Sequence, residues 1–485
     1  MQSATGNHDF VKASLEQLKA QLDAGDAPTR QAIASAIGSD DAGEIEAERV
    51  RLAAHVEEIH GLTNGEPSHR DVHYVSRFDG VGLYQSVLSR VFARTPGLQG
   101  YGDLNPVWAT TLVEQGVWRL KNFFHQVHED VAGEHQPLLA SVLKEWKALK
   151  FARAPYPAGV PTPISFADDA KVALLADWGG DNPAARHIAS VVQKHKPGIA
   201  IHLGDIYYGG VESECGTFLQ LWPLQTNSRH PELGVPPGSS LALNGNHEMY
   251  SGGQAYFDIV LKAFKQPQPF FCLENTHWRV IGLDTAYNDG RLKPSGPNDP
   301  MSAQWNWLID LLKNATRKAT ILLSHHQPVS AHADEFRDSA GLRGDIDELL
   351  KTAGIGQDAI FGWFFGHEHR CALYDDNATS YNARLIGNGC VPHQAQEELA
   401  ADVGCTPVAF FNRKETSKGS GAAVSMYAQL YFAGEELAIE YTDEDSWIWG
   451  TEVWNATKGR LNGGPFQETD GYDGEVRQRP VALTT

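Results

Sequence analysis

The sequence predicts an α/β fold preceded by a separate helical unit, and three observations carry that expectation. Five short apolar runs between residues 172 and 365 each end in Gly, Asp, Asn or His. Helical spacing, as in Trp305 to Leu312, lies between some of these runs, so strands alternate with helices. A proline-rich stretch, Ala154 to Pro163, separates this region from a preceding one whose apolar residues recur at three- and four-residue intervals. At 485 residues the chain exceeds one ordinary domain.

The first 150 residues read as a helical unit. Phe10, Val11, Leu15, Leu18 and Leu22 have helical spacing, and Asp41 is placed to cap a helix through Ile45, Val50 and Ile59. The longer stretch Trp108 to Leu149 repeats the pattern, with Gly116 and Gly133 as breaks. Such amphipathic helices are packing surfaces first, and a homo-oligomer contact through them is one reading. Residues 151–165 follow as an extended, proline-rich linker. Residues 166–485 form the α/β domain, and its last strands, Val424 to Phe432 and Leu437 to Tyr441, flank a Gly434-Glu435 turn.

Composition narrows the partners. With 42% apolar and 21% charged residues the chain is globular rather than disordered. A net charge of −20 argues against a nucleic-acid coat or an anionic membrane as partner, but not against a small phosphorylated substrate at a cationic metal site. No secretory leader is visible and no run of eighteen apolar residues occurs, so the expected location is the cytoplasm, or outside the cell if the chain is a processed form. Five scattered cysteines without CxxC spacing fit reduced thiols better than disulfides or a zinc knuckle.

The strand-end motifs carry the chemistry. Val172 to Ala176 runs into Asp177-Trp178-Gly179-Gly180, and Ile199 to Leu203 into Gly204-Asp205-Ile206-Tyr207-Tyr208. Leu241 to Leu243 precedes Asn244-Gly245-Asn246-His247-Glu248, Thr320 to Leu323 precedes Ser324-His325-His326-Gln327-Pro328, and Phe361 to Phe365 precedes Gly366-His367-Glu368-His369. Singly, each is turn chemistry. Together, at strand ends where α/β sheets build sites, they form a set of hard oxygen donors and imidazoles suited to Fe, Mn or Zn. Adjacent glycines, Gly179, Gly204, Gly245 and Gly366, allow the sharp exits.

In that order the motifs resemble the calcineurin-like metallophosphoesterase superfamily, and within it the purple acid phosphatases, particularly the tartrate-resistant type. Most of the superfamily has His two residues after the first Asp; this chain has Gly179, a loss the purple acid phosphatases share and pair with a Tyr three residues after the second Asp, here Tyr208. The resemblance covers residues 168–395 and implies a four-layer β-sandwich flanked by helices. It implies one metal held by Asp177, Asp205, Tyr208 and His369, and a second by Asp205, Asn246, His367 and one of His325 and His326. Strand length favours His325, whereas counting back from Pro328 favours His326. A phenolate ligand favours Fe(III) in the first site, with divalent Fe, Zn or Mn in the second.

The implied activity is hydrolysis of a phosphate monoester by a metal-bound hydroxide, the two ions about 3.5–4 Å apart clamping the phosphoryl group. Asn246, His247 and His332 are the expected substrate contacts, and His247 and His326 the expected acids. A phosphodiesterase or nucleotide hydrolase would use the same residues, and an inactive scaffold binding a partner through the N-terminal helices is the reading of another class. The chain departs from the family in its helical N-terminal unit and in the polar stretch Gln394 to Ser420, which holds no family landmark.

Overall fold

The computed structural model describes residues 153–180, 183–227, 229–230, 233–296, 298–313, 318–391, 406–412, 423–458 and 464–469, and before them 19–20, 22–37, 40–47, 49–50, 53 and 86. The chain divides into two compact units, Met1–Ala152 and Arg153–Thr485.

In the first unit, helix α1 (Ala27–Ile37) starts where Asp26 Oδ1 accepts the Thr29 N–H at 2.9 Å. Asp41 caps the next helical stretch in the same way, accepting the N–H groups of Gly43 and Glu44 at 2.9 Å. The expected helices Phe10 to Leu22 and Trp108 to Leu149 fall almost wholly outside the described residues.

The second unit is built on two sheets. One contains β2 (Lys171–Leu175), β3 (Ile199–His202) and β4 (Ser240–Ala242) in parallel. It is extended by the antiparallel strands β12 (Met426–Ala433), β13 (Glu436–Asp443), β14 (Ile448–Asn455) and β15 (Gly464–Glu468), in the order β15-β14-β13-β12-β2-β3-β4. The other is centred on the parallel strands β6 (Trp278–Leu283), β7 (Ala319–Ser324), β8 (Ile360–Phe365) and β10 (Asn382–Ile386). Strands β1 (Ile164–Ser165), β5 (Phe271–Glu274), β9 (Cys371–Tyr374) and β11 (Val408–Phe411) complete the order β1-β5-β6-β7-β8-β10-β9-β11.

Alternation sorts the side chains into layers. Val172, Leu174, Ile201, Ile321, Leu323, Phe364, Leu430 and Ile439 fill the space between the sheets. Leu322, Trp363 and Leu385 point the other way, onto Trp307, Leu308 and Leu312 of α6 (Ser302–Lys313) and Leu342, Ile346 and Leu349 of α7 (Ala333–Ala353). On the opposite outer face, His202 of β3 meets Phe218 of α3 (Glu212–Leu221) with ring centroids 4.8 Å apart. Helix α2 (Pro183–His195) buries Ile188, Val191 and Val192. This is the mixed α/β architecture expected, two sheets flanked by helices.

Two details tie the sheets together. Strand β8 carries an extra residue opposite Thr320 and Ile321, which turns both Phe361 and Gly362 inward. A Cβ at Gly362 would lie 2.5 Å from the Trp454 ring, so glycine is what lets β8 approach β14. Beside it, Arg384 of β10 makes a two-pronged ion pair with Glu452 of β14, at 2.8 and 2.7 Å. Both side chains are no more than 2% exposed.

Residues 153–163 are extended, as the prolines dictate, and lie against this unit. Ala154 donates to the Gly252 carbonyl, and the Tyr156 ring packs on Phe257, Phe270 and Tyr287. Among the described residues no helix is long and apolar enough to cross a membrane, and Cys215, Cys272, Cys371 and Cys390 are buried free thiols.

Candidate metal centre

Parallel strands deliver their C-terminal ends to one edge, and the ligand candidates come from both sheets. Asp177, Asp205 and Asn246 follow β2, β3 and β4; His325, His367 and His369 follow β7 and β8. Asp177 and Asp205 leave their strands in the left-handed region, with φ of 54° and 71°, which turns each carboxylate back over the sheet edge.

Asn246 is the centre of one group. Its Oδ1 lies 2.8 Å from His325 Nε2 and 2.9 Å from His367 Nδ1, while its Nδ2 donates to the Tyr250 hydroxyl at 2.8 Å. Asp205 Oδ1 is 3.3 Å from His325 Nε2. His325 Nδ1 faces the Leu203 carbonyl at 3.1 Å, which fixes the proton there and leaves a lone pair on Nε2. Burial, with His326 and His247 beside it, holds the His325 imidazole well below its ordinary pKa and therefore neutral. The His325 Nε2 lone pair, the Asn246 amide oxygen and His367 Nδ1, 3.2 Å from that Nε2, thus converge within hydrogen-bond distance of one another. Two imidazoles and an amide oxygen aimed at one point, beside buried carboxylates, are a donor set that fits a metal ion.

Asp177 anchors a second group. Its Oδ1 accepts the Tyr207 hydroxyl at 3.1 Å and lies 3.6 Å from His369 Nε2, itself 3.0 Å from the same hydroxyl. Its Oδ2 accepts the His367 N–H at 2.9 Å. Both aspartates are essentially unexposed, and burying a carboxylate is costly unless hydrogen bonds or a cation meet it. Asp177, Asp205 and His325 form one set of potential ligands within 4.8 Å, and His325, His326 and His367 another.

The structure differs from expectation at the tyrosine. It brings Tyr207 to Asp177 and His369, whereas Tyr208 contributes its backbone carbonyl, 2.5 Å from His247 Nδ1. Both tyrosines lie in the turn at residues 207–209, and the Tyr207 hydroxyl is the one bonded to Asp177. On the protein's own charges, burial and the carboxylates of Asp177 and Asp205 hold the Tyr207 phenol well above its ordinary pKa, as a donor.

The remaining histidines separate. His247 donates its backbone N–H to Asp205 Oδ1 at 3.0 Å, and with Nδ1 turned to Tyr208 its Nε2 lies 3.8 Å from Asp205 Oδ2. His326 packs on His367, its Nδ1 3.0 Å from Thr285 Oγ1; burial pushes it down to about 4, a neutral base rather than an acid at neutral pH. His332 is not among the residues brought to the cluster: it sits at the N-cap position of α7, without a side-chain capping bond, and its ring lies 6.4 Å from that of Phe411.

Sequence reasoning gave no role to Glu248, which binds the two oxygen-donor loops together. Its carboxylate accepts the N–H groups of Gly245, Ile206 and Asp205 at 2.9, 2.9 and 3.2 Å. Burial raises it to about 7 against the pull of those donors. The contact is so close that a Cβ on Gly245 would lie 2.1 Å from Asp205 Oδ1. A Glu three residues after Gly245, at the start of the short helix α4 (Asn246–Tyr250), was the available sign.

Residues 170–371 match the family model of the calcineurin-like phosphoesterases. No curated protein matches the sequence at a meaningful level. Among solved structures, GAP50, the anchor in the inner membrane complex of Plasmodium, aligns at 13% identity and a TM-score of 0.44, over 61% of this chain and 92% of that one. Purple acid phosphatase PPD1 from yellow lupin (Lupinus luteus) seeds aligns at 15% identity and 0.41, over 62% and 55%. A predicted phosphoesterase from Streptococcus pneumoniae TIGR4 aligns at 12% and 0.25, over 60% and 99%. Likeness at this level bears on no activity of this chain. Residues 170–371 thus resemble the calcineurin-like phosphoesterases, and they carry a buried group of aspartates and histidines able to hold metal ions.

Proposed function

We propose that the protein is a metal-dependent hydrolase of phosphate monoesters, of the purple acid phosphatase type, working at a two-metal site. The observation that carries the reading is the convergence of His325 Nε2, His367 Nδ1 and Asn246 Oδ1 at 2.8 to 3.2 Å, beside two buried aspartates. Asp177, Asp205, Tyr207 and His369 would hold one ion, and Asp205, Asn246, His325 and His367 the other. A phenol among the first set favours Fe(III) there, with divalent Fe, Zn or Mn opposite. When bound, such ions supply Lewis acidity and make water acidic enough to react near neutral pH.

The chain's own residues orient the ester and move its protons. With Nδ1 held by the Tyr208 carbonyl, a protonated His247 carries its second proton on Nε2, next to Asp205, where it neutralises a phosphoryl oxygen or protonates the departing alkoxide. Glu248 fixes the backbone of Asp205 and Gly245, so the two loops present their donors together. Thr285 holds the His326 ring beside His367, where it limits the room for substrate.

Elemental analysis with turnover of p-nitrophenyl phosphate and bis-p-nitrophenyl phosphate tests the reading. Two bound transition metals and a preference for the monoester are expected. A chain that binds no metal and stays inactive after Fe, Mn or Zn supplementation would overturn it.

A further inference from the structure

The short helix α4 carries two residues of the proposed site, Asn246 and His247, and ends on a side chain that touches both. Tyr250 stands four residues after Asn246, about one helical turn on, and side chains on a helix lean toward its N-terminus. That lean brings the buried Tyr250 hydroxyl to Asn246 Nδ2, at 2.8 Å. The same ring packs against His247, with centroids 4.6 Å apart and a 46° angle between the planes.

The seat of this helix is fixed independently. Glu248 bonds the Asp205 loop, Ser251 Oγ donates to the Gly210 carbonyl at 3.4 Å, and the Gly252 carbonyl accepts from Ala154. A Cβ on Gly210 would lie 2.5 Å from Glu248 Cα, so α4 sits directly on the chain that follows Tyr208. The Tyr250 hydroxyl therefore meets Asn246 from a set position.

An asparagine needs such a partner where a carboxylate would not. The two ends of the amide are alike in shape, but only Oδ1 offers lone pairs to a cation. His325 Nε2 competes for the wrong end: with the ring proton on Nδ1 against Leu203, its lone pair would accept from Nδ2. With Nδ2 given to Tyr250, Oδ1 is the end that lies 2.8 Å from His325 Nε2 and 2.9 Å from His367 Nδ1.

Resting on the two-metal reading above, we infer that Tyr250 is a positioning residue for the ion shared by Asp205, Asn246, His325 and His367. Its hydroxyl keeps the Asn246 amide oxygen turned toward the two imidazoles. Its ring, which phenylalanine would keep, is the part that bears on His247.

The test is a Zn(II) titration of the metal-free full chain against a chromophoric chelator, with elemental analysis of the loaded protein. Wild type should take two ions. In Tyr250→Phe the affinity for one of them should fall about 10- to 100-fold, as for loss of a hydrogen bond to a metal ligand, with the other bound as in wild type. Asn246→Asp has an oxygen at both ends of the group, so adding Tyr250→Phe to it should change that affinity by less than about twofold. Equal affinities in wild type and Tyr250→Phe overturn the inference and leave the two-metal reading standing. An undiminished loss in the Asn246→Asp background also overturns it, because the hydroxyl would then act elsewhere than on the amide. A wild-type chain that takes no second ion sinks the two-metal reading and the inference with it.

Discussion

The Nδ1 atom of His325 lies 3.1 Å from the carbonyl oxygen of Leu203, the last residue before the Gly204-Asp205 turn. That bond makes one strand end set the tautomer of a histidine on the other sheet, and it distinguishes His325 from its neighbour. His325→Ala should therefore lose the metal shared with Asn246 and His367 and about 100-fold or more in activity, as expected for a primary ligand. His326→Ala should retain both metals. Elemental analysis of the two purified variants decides; equal metal loss in both would refute the distinction.

The tyrosine assignment has its own spectroscopic readout. With Fe(III) loaded, Tyr207→Phe should abolish a visible phenolate-to-iron absorption band, while Tyr208→Phe should keep it, because the hydroxyl on Asp177 and His369 belongs to Tyr207. The opposite pattern would return the ligand to Tyr208.

Asp284 makes stability fall as pH rises. Burial lifts its carboxyl from 3.8 to about 7, against the donors of Tyr287, Ala286, Tyr156 and Asn244. Below 3.8 both folded and unfolded chains hold the proton; between there and about 7 the unfolded chain releases it first, so the folded state loses ground. Asp284→Asn should remove that part of the slope, on the order of 1 kcal/mol per pH unit. Urea midpoints of wild type and variant across the window check it; parallel curves would count against a buried, protonated Asp284.

The Arg384–Glu452 pair joins β10 to β14 across the sandwich, and Tyr441 and Trp454 also donate to Glu452. Arg384→Ala leaves that carboxylate buried without its cation and should cost about 3–5 kcal/mol. Replacing the pair together, as Arg384→Met with Glu452→Leu, should cost less. A single variant as stable as wild type by denaturant titration would show the pair to be incidental.

The group of residues gathered at the sheet edges was legible in sequence because each member follows an apolar run, where strand length fixes the place at which the chain leaves the sheet. Asp177, Asp205, Asn246 and His367 needed nothing more. Which of the two adjacent tyrosines meets Asp177 and His369 was not legible, because both lie in a turn beside a loop that is pinned by a residue distant in sequence, Glu248 on the Asp205 N–H. Asp345 and Gln304, which bond the segment after β6, escaped for a similar reason. An Asp or Gln on a helix carries no sequence mark of the loop it will bind, so that segment is set only when α6 and α7 are in place. Strands β9 and β11 were equally hidden, the second pairing across a long polar connection.

That Asp177, Asp205 and Asn246 ride on one sheet and His325, His367 and His369 on the other has a mechanical meaning. An ion bound here is a rivet through the seam of the sandwich: its grip adds to the cohesion of the two sheets, and chelation withdraws it. The dependence runs both ways, since a slip of one sheet against the other by a fraction of an ångström pulls half the ligands off the ion while leaving each half intact. Contacts that seat one sheet on the other, such as Gly362 against Trp454, would then bear on how tightly such an ion is held.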